Sequence, residues 1–227
     1  MKNLAQESIL NEHEESKSDG KFRLKPNLKR TCFIIFFTFL SVAANFAGGK
    51  LATQIYFPLY LDSIMTICVV SLGGLIPGII CAAVSNFLLA GFRPVAFGIC
   101  HVFTALGAFF VFKKRKLFEN AELFESSKND EFSLELFLWA GLFSAVSNTI
   151  FGNIISAFVI KSNFENLLGI LQETLYISVP NTAFVSWTAG FLENLMDKLL
   201  SAILSFFVYK IVLIIQRKCG GEFLKSF

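Results

Sequence analysis

"LDSIMTICVVSLGGLIPGIICAAVSNFLLAG" occupies Leu61 to Gly91. One carboxylate, Asp62, stands at its head, and no further charge follows until Arg93. An apolar stretch this long is read as material for crossing ~30 Å of hydrocarbon. The segment "GGLIPG" (73–78) interrupts it, because Gly-Gly and Pro-Gly mark turns. The stretch therefore splits into two helices. Each is short for a bilayer unless it takes in flanking residues, the first of the pair starting near Tyr56 and the second running past Phe92. A re-entrant hairpin is the competing reading.

Working outward, four further apolar runs have spanning length. They cover roughly Thr31–Gly48, Val95–Phe112, Leu134–Ile160 and Phe191–Ile215. Of 227 residues, 54% are hydrophobic and only 16% are charged, where a soluble domain carries about a quarter. The fold class expected is an all-α integral membrane protein with six transmembrane helices. A polar leader (1–30), expected to be disordered, precedes the six-helix domain (31–216), and a short tail (217–227) follows. The leader lacks the apolar core of a cleavable signal peptide. Residues 113–133 are charged, and their Leu117, Phe118, Leu123 and Phe124 fit a short interfacial helix. Residues 161–190 read as a long mixed loop.

Six spans put both ends of the chain on one side. Near the span ends on that side lie Lys21, Arg23, Lys25, Lys29, Arg30, Lys113, Lys114, Arg115, Lys116, Arg217, Lys218 and Lys225. The opposite loops carry Lys50, Arg93 and Lys161. Twelve against three places both termini in the cytoplasm of a multi-pass cell-membrane protein. The basic residues serve as topological signals and lipid head-group contacts, so no nucleic-acid partner is implied.

A charge within a span costs ~2.5–3.5 kcal/mol on insertion scales and is by default a functional hypothesis. In this orientation Asp62, Arg93, His101, Glu193, Asn194, Asp197 and Lys198 fall in the outer half, and the inner half reads as apolar. Glu193, Asp197, Asn194 and Lys198 project at roughly 0°, 40°, 100° and 140° around the last helix, one polar face two turns long. That face is either a self-satisfied ion pair or the lining of a pocket open to the outside. Gly141, Ala145, Asn148 and Gly152 make a small-residue stripe on the fifth span, with Asn153 beside it. Gly78, Ala82 and Ser85 make another on the third, beside Asn86. Ala43, Ala44, Ala47 and Gly48 make two small-xxx-small pairs on the first, next to Asn45, fit for packing within the chain or on a partner. Asp62 is expected to cap a helix, where a carboxylate favours the N-terminal dipole, or to brace the first loop, more than to touch ligand.

Several chemistries are missing. No Gly-rich loop with a Lys is present to cradle phosphates. Two histidines, His13 and His101, do not make a metal cluster, and five scattered Cys suit buried packing. Nothing places a Ser in a nucleophile turn. Neither enzymatic activity nor a cofactor is expected.

"FPLYLDSIMTICVVSLGGLIPGIICAAVSNFL" (57–88) resembles the S components of energy-coupling-factor (ECF) transporters, in which Pro-Leu-Tyr/Phe-Leu-Asp-[ST]-Ile-x-Thr opens the second span. "FLENLMDKLLSAILSFFVYKIV" (191–212) resembles the family's sixth span, with Glu193, Asp197 and Lys198 on its E-x-x-x-D-K motif. The resemblance implies a six-helix subunit that captures a vitamin or similar micronutrient in an outward-facing pocket. It implies as partners a transmembrane coupling subunit and two ATPase subunits, with small residues of the first span, here Ala43 and Ala47, making the coupling contact. On this reading the substrate-binding residues are Gln54, Tyr56, Asn86, Arg93, His101, Asn148, Asn153, Asn181, Trp187, Glu193, Asn194, Asp197 and Lys198. Tyr56 and Trp187 stack on a flat heterocycle or belong to an interfacial aromatic belt. The alternatives are a membrane sensor or scaffold and a stand-alone secondary transporter.

Overall fold

The architecture is organised around its shortest helix. In the computed structural model, which describes residues 26–54, 59–90, 97–115, 131–158 and 182–218, the helix α2 spans Ile64–Gly73. Every residue from Thr66 to Leu72 is buried. Such an apolar segment, with no polar face to turn to solvent, must be enclosed on all sides. Helices α1 (Pro26–Gln54), α3 (Leu75–Ala90), α4 (Gly98–Lys113) and α6 (Thr182–Lys218) all pack on α2, and α5 (Leu134–Phe158) packs between α4 and α6.

The described residues are thus all helical apart from short connections, as expected. Three helices, α1, α5 and α6, are long and apolar enough to cross a membrane. The other three are shorter than the sequence reading required. At 1.5 Å per residue, α2 rises ~15 Å and α3 and α4 ~24 Å each. The break in the central stretch is also narrower than "GGLIPG" suggests. Gly74 alone breaks the helix, at φ 86°, a left-handed value that a Cβ would penalise, and its N–H still bonds Val70 O at 3.0 Å. Pro77 and Gly78 lie inside the first turn of α3, where a missing N–H costs no intrahelical bond.

The ends of two helices also differ from expectation. The first begins at Pro26, inside the expected leader, and runs to Gln54. The last begins at Thr182, so nine residues expected in the fifth loop, Trp187 among them, are helical. The proposed interfacial helix, the "GFRP" turn, most of the leader and most of the tail lie outside the described residues.

The packing is tightest where α5 crosses α6. A Cβ added to Gly141 would stand 2.8 Å from both Ala202 Cβ and the Lys198 carbonyl oxygen. Toward the C-terminus of α6, Phe112, Phe132, Phe137 and Tyr209 cluster, with Phe112–Phe132 centroids 4.7 Å apart. Phe132 N–H donates to Tyr209 Oη at 3.1 Å, and Glu131 takes Lys210 Nζ at 2.6 Å and also Arg217. This end of the bundle is therefore not purely apolar, which corrects the expectation for the inner half. Lys210 sits in an apolar run that the sequence reading passed over. The alanine stripe of α1 does not pack within the described chain: Ala43, Ala44 and Ala47 are exposed. Among the thiols, Cys68, Cys81 and Cys100 are buried as expected, and Cys32 is exposed.

Candidate functional site: a buried ionic cluster

The polar residues of α6 turn inward. Glu193, Asp197 and Lys198 are buried, while Leu192 and Met196 on the other face are exposed. Lys198 Nζ donates to Asp197 Oδ2 at 2.6 Å, Ser63 Oγ at 2.8 Å and Asp62 Oδ1 at 3.3 Å. An ammonium has three donors, so Lys198 is saturated. Asp62 Oδ2 faces His101 Nε2 at 3.2 Å, and Ser63 Oγ donates to Asp62 Oδ1 at 3.0 Å. Asp197 Oδ1 accepts the N–H of Leu61 at 2.9 Å. Leu61 is the one described non-glycine residue at positive φ, 51°, and that hydrogen bond holds it in an otherwise unfavourable conformation.

One cluster thereby ties the α1–α2 connection to α4 and α6. Asp62 does not cap α2. That role falls to Asn45 of α1, whose Oδ1 accepts Met65 N–H at 3.0 Å and whose Nδ2 donates to Thr66 Oγ1 at 3.1 Å. Asp62 does brace the first loop, but from within the ionic cluster.

One turn beyond His101 on α4, Thr104 donates to Cys100 O at 3.2 Å and accepts from Asn148 Nδ2 at 3.3 Å. With Thr104 donating to its own helix, the Asn148 amide presents its nitrogen to the hydroxyl oxygen. Asn148 is buried, and its Oδ1 has no partner among the described residues. The same holds for His101 Nδ1, Asn86 Nδ2 and Asn153 Nδ2. Buried polar atoms are ordinarily paired; besides these four, on the third, fourth and fifth helices, atoms of Ser41, Glu135, Ser201, Ser205 and Gln216 are also without a partner among the described residues. Several other hydroxyls, including Thr38, Ser85, Ser144 and Thr149, satisfy themselves by bonding the carbonyl four residues back.

Gly152, one turn beyond Asn148 on α5, is partly exposed, and a Cβ added there would meet nothing within 4 Å. At Gly141, on the same stripe, α5 and α6 are in contact through backbone. Near the far end a whole side chain separates them, with Asn153 Oδ1 2.9 Å from where a Gly190 Cβ would stand. The two helices therefore meet through backbone at Gly141 and through the Asn153 side chain at Gly190.

The structure brings Asp62, His101, Asp197 and Lys198 into one cluster, with Asn148 a turn away and Glu193 one turn from Asp197. Asn86 lies against Gly98 at the start of α4. Three expected residues stand apart: Gln54 and Trp187 are exposed, and Asn194 Nδ2 bonds its own helix at Gly190 O, 2.8 Å away. Tyr56, Arg93 and Asn181 lie outside the described residues. Sequence reasoning missed Ser63, Thr104 and the capping by Asn45. Each had a signal, namely a hydroxyl or amide in an apolar run, adjacent to or three residues from a residue already chosen. Among the described residues no three His, Cys, Asp or Glu side chains are grouped to hold a metal ion.

What fold and site define together is a helical bundle, compatible with a membrane, that buries an ionic cluster and several unpartnered polar atoms. No family model, curated protein or solved structure matches the chain.

Proposed function

We propose that this protein is a solute-binding membrane subunit of the ECF S-component kind, which captures a micronutrient from outside among α4, α5 and α6. The observation that carries the reading is a group of buried polar atoms beside the ionic cluster, Asn86 Nδ2, His101 Nδ1 and Asn148 Oδ1, that no described residue satisfies. Binding sites present a few fixed polar groups to a ligand, and these atoms are suited to that role. On this reading all six helices belong to one membrane domain in the cell membrane, with both termini cytoplasmic. The short α2, α3 and α4 are completed by their flanking segments. The ionic cluster works as a brace: it fixes α4 and α6 relative to the first loop, so that the groups meeting ligand are held in place. Ala43 and Ala47, exposed on α1, face a coupling subunit, and two ATPase subunits supply the energy.

The test is mass spectrometry of small molecules released from the detergent-purified chain. A stoichiometric organic molecule is expected, and it should be lost in Asn148→Ala. A chain that purifies folded and empty, and is stabilised by no metabolite, rules the reading out.

A second reading has one observation in its favour. Ser201 and Ser205 continue the polar face of α6 past Lys198; both are fully buried and neither hydroxyl has a partner among the described residues. A polar line on both sides of the bundle's middle suits a stand-alone secondary transporter. Uptake into liposomes containing this chain alone separates the two, since an S component without its ATPases accumulates nothing.

A further inference from the structure

The end of the bundle away from the ionic cluster carries a surplus of positive charge. Lys29 lies in the first turn of α1, Lys113 and Lys114 close α4, and Arg217 and Lys218 close α6; all five are exposed. Their helix ends share one end of the bundle. From the ionic cluster α2, α4 and α6 all run toward it, and Phe112, Phe132 and Tyr209 stack α4 and α6 together there. Asn45 meets the start of α2 and Ile34 meets Gly73 at its end, so α1 runs the other way and begins at this end. Because α1, α4 and α6 each pack on α2, and packed axes lie ~8–10 Å apart, no two of the three are more than about 20 Å apart where they meet it. The described carboxylates at this end are Glu131 and Glu135, and Glu131 is already shared by Lys210 and Arg217.

The chain before Pro26 lies outside the described residues, but its charge and its tether follow from the sequence. Residues 7–15 hold Glu7, Glu12, Glu14 and Glu15 and no Lys or Arg. Glu15 stands eleven residues before Pro26, where α1 begins. Eleven residues reach at most ~36–40 Å, more than the distance between these helix ends requires. The tether also makes the encounter intramolecular, at an effective concentration on the order of mM, so that a contact of modest strength is populated. Runs of like charge of this sort commonly act as interaction tails, and here the complementary charge lies within reach.

We propose that the acidic stretch Glu7–Glu15 docks on the basic end of this same chain, against Lys113 and Lys114 of α4 and Lys218 of α6, as an autoinhibitory cover over a surface that otherwise takes anionic partners. This cover does not depend on which solute the bundle binds. A second acidic stretch, residues 116–130, also joins this end, but its four carboxylates come with Lys116 and Lys128. The leader presents its four with no base among them, which makes it the better match to a surface of lysines.

The experiment treats the full detergent-purified chain with a water-soluble carbodiimide, which joins a carboxylate to a touching amine as an amide, and reads the linked peptides by mass spectrometry. Links from residues 7–15 to Lys113, Lys114 or Lys218 are expected at low salt. They should fall about tenfold in 1 M salt, where the screening length contracts from ~10 Å at 0.1 M to ~3 Å. No such links, or links to Lys50 at the opposite end in equal yield, overturn the proposal. Links to the same lysines only from residues 116–130 assign the cover to that connection and overturn it too. A second measurement is retention on heparin, a soluble polyanion. The variant Glu7→Gln/Glu12→Gln/Glu14→Gln/Glu15→Gln should elute at higher salt than a variant of equal net charge, Glu119→Gln/Glu122→Gln/Glu125→Gln/Asp130→Asn. Equal retention of the two overturns the docking of the leader. Both variants leave every described residue unchanged.

Discussion

Replacing Lys198 with Met removes the hub of the ionic cluster while keeping most of the side chain's volume. Three contacts go at once, at 2.6, 2.8 and 3.3 Å. Asp197 is 1% exposed on its side chain and Asp62 13%, so neither carboxylate can recover its lost partner from solvent. Breaking a buried pair from one side costs about 3–5 kcal/mol. Asp62 keeps His101, which places the expected loss toward the lower end. Against a typical stability of about 5–15 kcal/mol, such a loss is large enough to lower the unfolding midpoint plainly. Asp197→Asn alone should cost less, because Lys198 retains Asp62 and an asparagine oxygen still accepts from Leu61 N–H. The double variant Lys198→Met/Asp197→Asn should therefore be less destabilised than the sum of the singles, by about 1 kcal/mol or more. The assay is denaturant unfolding of the detergent-solubilised chain, followed by helical circular dichroism. Strict additivity, or a Lys198→Met variant within about 0.5 kcal/mol of the parent, the range of an ordinary surface change, would refute the claim that these charges form one buried unit.

Gly141→Ala should destabilise by about 1–3 kcal/mol, since its Cβ meets the Lys198 carbonyl, which is backbone and does not yield; an unchanged melting temperature contradicts the close crossing. Asn45→Ala leaves Met65 N–H without its acceptor and should cost about 1–2 kcal/mol, the range of a lost helix cap; an unchanged midpoint in the same unfolding assay would remove capping as its role.

The amino-acid sequence by itself determined the class of structure. Apolar runs of this length, with few charges inside them, favour helices that pair their backbone groups internally. It also picked out most of the polar residues that matter, because a carboxylate or amide in an oily run is costly enough to announce itself. Asp62, His101, Asp197 and Lys198 were all legible that way. The break near Gly74 was legible too, though Pro77 and Gly78 read as part of the turn when they begin the next helix. Only the tertiary structure decided which polar groups spend their valences on one another. Lys198 and Asp197 are neighbours in sequence, yet the partners that saturate them, Asp62, Ser63 and the Leu61 N–H, lie more than a hundred positions away. Likewise Asn45 became a cap for a helix twenty residues on, and Asn194, from the same polar face as Asp197, turned back to its own helix. Helical periodicity gives the direction of a side chain from its own axis. Which neighbouring atom waits in that direction depends on how the helices cross, and a crossing is set by contacts such as Gly141 against Lys198 that no local pattern encodes.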